Sequence, residues 1–228
     1  MLPLDPPDPA ASRPDGSDVP HVPALPGTYV NPILDWDFPD PAVIRADDGF
    51  YYAYATQTLR DDQWINIQVA RSPDLIHWEH LGDALPDKPE WAQETQDFWA
   101  PSVIYDGSTY YMYYSATPDV AHVHERGHAL AVATSSSPTC PFVDMGMPLL
   151  LGAGFEFIDP MAFDDPATGK RLLYWGSGFQ PIKVQELSED RLSFAYGSNP
   201  VDLIWPNGEK GGFPRLVEAA WVILHDGF

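Results

Sequence analysis

Three acidic residues, Asp40, Asp159 and Glu218, recur at comparable places in a chain of 228 residues. Asp40 lies in Phe38-Pro39-Asp40-Pro41, Asp159 in Phe157-Ile158-Asp159-Pro160, and Glu218 in Val217-Glu218-Ala219. Carboxylates brought together raise one another's pKa and favour a retained proton. Acid–base cleavage of a glycosidic bond uses such a set: one carboxylate activates water, and one protonated carboxyl group delivers its proton to the leaving oxygen. A third sets charge and orientation. An Asp before Pro also caps turns, so Asp40 and Asp159 carry a purely structural alternative.

The elements that must position these acids form a repeat. The first unit reads Phe38-Pro39-Asp40-Pro41-Ala42-Val43-Ile44, a Gly turn, then Tyr51-Tyr52-Ala53-Tyr54. The second reads Phe98-Trp99-Ala100-Pro101-Ser102-Val103-Ile104, a Gly turn, then Tyr110-Tyr111-Met112-Tyr113-Tyr114. The third runs from Phe157 to Phe163, then Arg171-Leu172-Leu173-Tyr174-Trp175, and the fourth begins at Leu216. The anchors are 40, 100, 159 and 218, so the spacings are 60, 59 and 59. Each unit opens with a short strand and a Gly turn, and the first three continue into an aromatic strand, as hairpins do. Further strands are expected over 64–70, 75–79, 128–134 and 182–187. Up to four strands per unit, without long amphipathic helices, predict the blades of an all-β propeller. A stacked solenoid usually has shorter rungs, and a sandwich leaves the regular spacing unexplained.

In a propeller the first strand of each blade lines the central channel, so equivalent positions converge on one axis. The fourth unit ends ten residues after Glu218. The expectation is therefore an N-terminal fragment, with about three blades and the first strand of a fourth. Residues 1–28, rich in Pro, Asp, Ser and Gly, read as a disordered leader, leaving 29–228 as the folded part.

Composition narrows the partners. The net charge of -21 disfavours nucleic acid, whose phosphates require Lys or Arg, and it disfavours polyanionic polysaccharides too. A neutral oligo- or polysaccharide fits. No run approaches 18 apolar residues, so no membrane span is expected. No basic segment followed by an apolar one stands at the N-terminus. A cytoplasmic location follows by default, or a secreted one if the N-terminus is incomplete. Composition leaves the oligomeric state open.

Other residues carry weaker signals. Trp99, beside the second anchor, is a candidate sugar platform, and Phe38 and Phe157 lie near the equivalent register. His122, His124 and His128, with Glu125, have spacing that could ligate a metal, but a solvated loop is expected, with a contribution to the substrate-binding rim as the alternative, and no metal site is assigned. Cys140, the only cysteine, reads as inert. Gly152-Ala153-Gly154 and Gly176-Ser177-Gly178 are not phosphate loops, and Gly208-Glu209-Lys210-Gly211-Gly212 reads as a turn.

At these positions the sequence resembles family 43 of the glycoside hydrolases, the arabinanases, arabinofuranosidases and β-xylosidases with five-bladed propellers. The matching stretches are Asp37-Phe38-Pro39-Asp40-Pro41 with Tyr51-Tyr52-Ala53-Tyr54, Trp99-Ala100-Pro101-Ser102, Ile158-Asp159-Pro160 and Val217-Glu218-Ala219. Ser72-Pro73-Asp74-Leu75-Ile76-His77-Trp78 is similar to the family's segment between blade strands. The resemblance implies Asp40 as general base, Glu218 as general acid, and Asp159 as the residue that tunes the acid and orients substrate. It implies single-displacement inversion on arabinose- or xylose-containing saccharides, with arabinosides mildly preferred. Ala219-Ala220 replaces the family's frequent Gly-Pro or Ala-Pro after the acid. The family's fifth blade often supplies a channel histidine associated with a metal ion or water network. This chain lacks that blade, so no cofactor is expected of it, and a channel metal ion is an expectation for the full-length parent alone. Two alternatives stay open: a non-catalytic carbohydrate-binding propeller, and an inactive truncated piece of the hydrolase. A propeller phosphorylase would need a phosphate site, for which no basic cluster speaks.

Overall fold

The computed structural model describes residues 28–120, 126–139, 141–206 and 216–226. The expectations for the leader up to residue 27, for His122, His124, Glu125 and Cys140, and for the Gly208–Gly212 turn lie outside the described residues. The chain divides into two units at Ile33/Leu34. In the first, described residues 28–33 form neither helix nor strand. The second holds every named element.

Those elements make three antiparallel blades. Blade one orders β1 (Ala42–Arg45), β2 (Tyr51–Ala55), a detour hairpin of β3 (Thr58–Arg60) and β4 (Gln63–Ile65), then β5 (Gln68–Ser72) and β6 (Glu79–Asp83). Blade two orders β7 (Phe98–Tyr105), β8 (Tyr110–Ala116), β9 (Ala129–Ser135) and β10 (Val143–Asp144), with β11 (Leu150–Leu151) also on β9. Blade three orders β12 (Met161–Asp164), β13 (Arg171–Trp175), β14 (Ile182–Glu186) and β15 (Val201–Ile204). The first strands β1, β7 and β12 contact one another in series, as the inner strands of a propeller do.

Side-chain alternation explains why blade two is apolar on both faces. Met112 and Tyr114 of β8, with Ala129, Ala131 and Ala133 of β9, join Tyr52, Tyr54, Val69 and Phe98 in the core between blades one and two. The intervening Tyr113, Leu130 and Val132 turn the other way and join Leu173, Trp175 and Leu187. A strand buried on both faces reads as a continuous apolar run, which is the character of Tyr110–Ala116 and Ala129–Ser135. Each fully buried large side chain contributes about 1.5–3 kcal/mol. The buried tyrosine hydroxyls are satisfied across elements: Tyr54 donates to Pro138 O at 2.6 Å and Tyr113 to Arg191 O at 2.9 Å.

Three details differ from the sequence expectations. The stretch 64–70 is broken at residues 66 and 67, where one hairpin ends and β5 begins. Asp83 causes the break, because its carboxylate accepts the Asn66, Ile67 and Leu85 N–H groups at 2.8–3.1 Å. The strand expected over 75–79 starts only at Glu79. Before it, Ser72 Oγ accepts the Leu75 N–H and Asp74 Oδ1 accepts those of Ile76 and His77, closing a side-chain turn. Finally, residues 216–226 form no strand: the expected opening strand of a fourth blade has no ladder partner among the described residues.

Candidate active site

The repeat is a backbone fact before it is a side-chain one. Asp40, Ala100, Asp159 and Ala219 all adopt positive φ, at 52°, 45°, 56° and 58°. A residue with a Cβ resists this left-handed conformation, Asp less than most. Four recurrences at intervals of 60, 59 and 60 mark one kink near the start of each unit, beside or within the inner strand in the first three. The fourth anchor is thus Ala219, and Glu218 stands one residue earlier, a correction to the position read from sequence. The acid is equivalent to Pro39, Trp99 and Ile158, not to Asp40 and Asp159.

The kinks converge. Asp40-Pro41-Ala42, Ala100-Pro101-Ser102, Asp159-Pro160 and Ala219-Ala220-Trp221 line one cavity of about 160 Å³. Three of its four walls are thus the strand starts that the repeat predicts.

Hydrogen bonds fix each acid. Thr56, just past β2, donates its hydroxyl to Asp40 Oδ2 at 2.6 Å and accepts the Ala100 N–H at 2.8 Å. Asp159 Oδ2 accepts the Ala219 N–H at 3.1 Å, tying the third unit's acid to the segment that carries Glu218. Ser177 Oγ donates to Glu218 Oε2 at 2.6 Å. Gly176 and Gly178, both at positive φ, flank this serine, and a Cβ on Gly176 would stand 2.7 Å from Pro181 O. The Gly-Ser-Gly stretch dismissed as a phosphate loop is therefore the holder of the third carboxylate.

Electrostatics agree with convergence. Burial pushes the Asp159 carboxyl up to about 7, and the charges of Glu218 and Asp40 add to the shift. Asp159 is the partly buried member, while Asp40 and Glu218 are exposed.

The second unit shows the pattern without its acid. Register aligns Ser115 with Thr56, since Trp99 pairs with Ser115 while the Thr56 N–H bonds Pro39 O at 3.0 Å. With Ala100 where the first unit has Asp40, the buried Ser115 hydroxyl has no hydrogen-bond partner.

Trp99, Phe38 and Phe157 do not line the axial cavity. The Trp99 ring lies 4.4 Å from that of His128 and stacks within 9° of parallel on Phe155 at 6.2 Å. His128 is only 6% exposed and Phe155 is 52% exposed. The reading of a solvated loop fails at His128: its Nδ1 pairs with Gly154 O at 3.0 Å, and burial pulls its pKa down. Phe38 sits edge-on to Trp36, and Phe157 packs into the core between blades two and three, its ring over Gly152. Thr56, Ser177 and Phe155 were not singled out as site residues from sequence, and His128 was named only within the histidine cluster. For Thr56 a signal existed, because it directly follows the first unit's aromatic strand.

No group of three or more His, Cys, Asp or Glu among the described residues could hold a metal ion.

Comparison with known proteins identifies the family. The sequence profile described as Glycosyl hydrolases family 43 matches residues 29–228. The chain is 35% identical over 94 residues to an extracellular endo-alpha-(1->5)-L-arabinanase of Thermotoga petrophila, covering 34% of this chain and 18% of that protein. It is 29% identical over 179 residues to a xylan 1,3-beta-xylosidase of Vibrio sp, covering 72% and 31%. Among solved structures, a thermostable family-43 glycoside hydrolase superposes with a TM-score of 0.62 at 30% identity, covering 80% of this chain and 58% of the other. The chain thus spans less than a third of these two curated relatives.

Proposed function

The chain belongs to family 43 of the glycosyl hydrolases, and from that premise we propose that it carries the catalytic carboxylates of an inverting glycosidase. In this reading Asp40 is the general base, activating a water for attack at the anomeric carbon. Glu218 is the general acid, protonating the departing glycosidic oxygen. Asp159 is the modulator, whose carboxylate fixes the segment bearing the acid. The observation that carries the proposal is that Asp40 and Asp159 line one cavity, that Glu218 stands one residue before its lining Ala219, which Asp159 binds, and that each carboxylate has its own hydrogen bond. A single displacement needs a gap between acid and base that admits water.

The substrates are neutral saccharides containing arabinose or xylose. The negative charge of the protein and the names of the arabinanase and xylosidase relatives support this class. Trp99, stacked with His128 and Phe155 one residue from Ala100, is the proposed sugar platform nearest the acids. Proton NMR of products released from aryl arabinofuranosides and aryl xylosides tests the mechanism. The first-formed sugar should have the anomeric configuration opposite to the substrate; retention would overturn the proposal.

A further inference from the structure

The strand ends that position Asp40 also carry a second feature. Between Thr56 and β5 the chain leaves blade one as the β3–β4 hairpin, and Gln68 at the start of β5 donates its amide to Thr56 O at 2.8 Å. β6 returns to the same edge, where Asp83 pairs with Gln68. From blade two, Phe98 accepts the Gln57 N–H at 3.0 Å and donates its own N–H to Gln57 Oε1 at 3.0 Å, bringing Gln96 alongside. Between these walls lies an open cavity of about 680 Å³ whose lining includes Trp64, Asn66, Asp87, Lys88, Gln93 and Gln96.

The cavity is braced from within. Asn66 Nδ2 donates to Leu85 O at 2.8 Å, Gln96 Nε2 to Asn66 Oδ1 at 2.9 Å, and Lys88 Nζ to Thr95 O at 2.6 Å. Side chains already locked this way lose little entropy on binding. Trp64 stands over the cavity with half its surface, 51%, in water, opposite the exposed Leu59 on β3. An exposed indole beside amide and carboxylate oxygens matches the two sides of a sugar ring: its C–H face stacks, and its hydroxyls donate.

We propose that this cavity is an outlying subsite for a neutral oligosaccharide, with Trp64 as its platform and Asp87 among its acceptors. The inference rests on the glycosidase reading of the axial cavity. The path through the protein from Asp40 by Thr56 and Gln68 to Asn66 is on the order of 20 Å, and the hexaose tests whether one chain spans both places.

Calorimetry on the non-hydrolysing Asp40→Asn protein tests it, with arabinohexaose and xylohexaose as probes. Adding Trp64→Ala should weaken the better-bound hexaose about 5–20-fold, and adding Asp87→Ala about 2–5-fold. The corresponding disaccharide should lose less than about two-fold with Trp64→Ala, because it cannot reach both places. Hexaose binding that is insensitive to both substitutions overturns the outlying subsite alone. Failure of the unaltered chain both to bind either hexaose and to cleave aryl glycosides overturns this inference and the glycosidase reading together.

Discussion

The Thr56 hydroxyl donates to Asp40 Oδ2 at 2.6 Å while accepting the Ala100 N–H at 2.8 Å. One side chain thus locks the proposed base of the first blade to the kinked entry of the second. Thr56→Val keeps the shape, removes both bonds and leaves a backbone N–H unpaired, at a cost of about 1–3 kcal/mol. With Asp40 no longer oriented, kcat should fall about 10–100-fold with KM little changed. Thr56→Ser should restore most of it. Steady-state kinetics on an aryl glycoside decides the matter, and an unaltered kcat in the valine variant would show that Asp40 needs no such orientation.

Asp159 should give the protein a specific pH dependence of stability. Its carboxyl is raised from 3.8 to about 7 in the folded protein. Between those values the native state holds a proton that the unfolded chain has released, so stability falls as pH rises. The favourable contribution is complete below about pH 4 and lost once pH passes about 7. Asp159→Asn keeps an acceptor for the Ala219 N–H and removes the titration. The variant should gain on the parent as pH rises from 4 to 8, reaching about 1–3 kcal/mol. Denaturant melts across that range measure the gap, and a constant gap refutes the coupling.

Asp40 and Glu218 should be separable by leaving group. Asp40→Asn removes activation of water and should lower kcat about 10²–10⁴-fold on every substrate. Glu218→Gln should cost as much on natural saccharides but far less on aryl glycosides with acidic phenols, which depart without a proton. The reverse pattern would exchange the two roles.

The fold was legible because its signals repeat. Gly turns and aromatic runs recur every 59 or 60 residues, and alternation at Met112, Tyr113 and Tyr114 sends neighbouring side chains into different cores. Two of the three acids were legible with their register, because an Asp-Pro pair at a strand entry is itself a local pattern. Glu218 was found but misplaced by one, since the left-handed residue beside it is Ala219, and nothing in an alanine announces a positive φ. Thr56 and Ser177 escaped notice because their role depends on which hydroxyl faces which carboxylate, a matter of bulge and register rather than residue type. His128 was misread because the burial that defines it comes from Trp99 and Phe155, distant in sequence.

That aromatic group should fail when a single close approach is blocked. A Cβ at Gly127 would stand 1.9 Å from Gly152 O and 2.7 Å from Ala153 Cα, both backbone atoms that cannot swing aside. Gly127 also bridges to Gly154, whose carbonyl pairs with His128 Nδ1. Gly127→Ala must therefore push residues 152–154 outward, loosen His128 and separate Phe155 from Trp99. Overpacking of this kind costs about 1–3 kcal/mol. If Trp99 is a sugar platform, KM for oligosaccharides should rise several-fold, with kcat less affected because Asp40 and its Thr56 partner lie elsewhere. Gly49→Ala is the control: its φ of 88° strains an alanine, but nothing lies within 4 Å of the added carbon. That variant should lose about 1 kcal/mol through backbone strain and keep its KM. Equal KM in both variants, with Gly127→Ala folded by circular dichroism, would remove the stacked group from substrate binding.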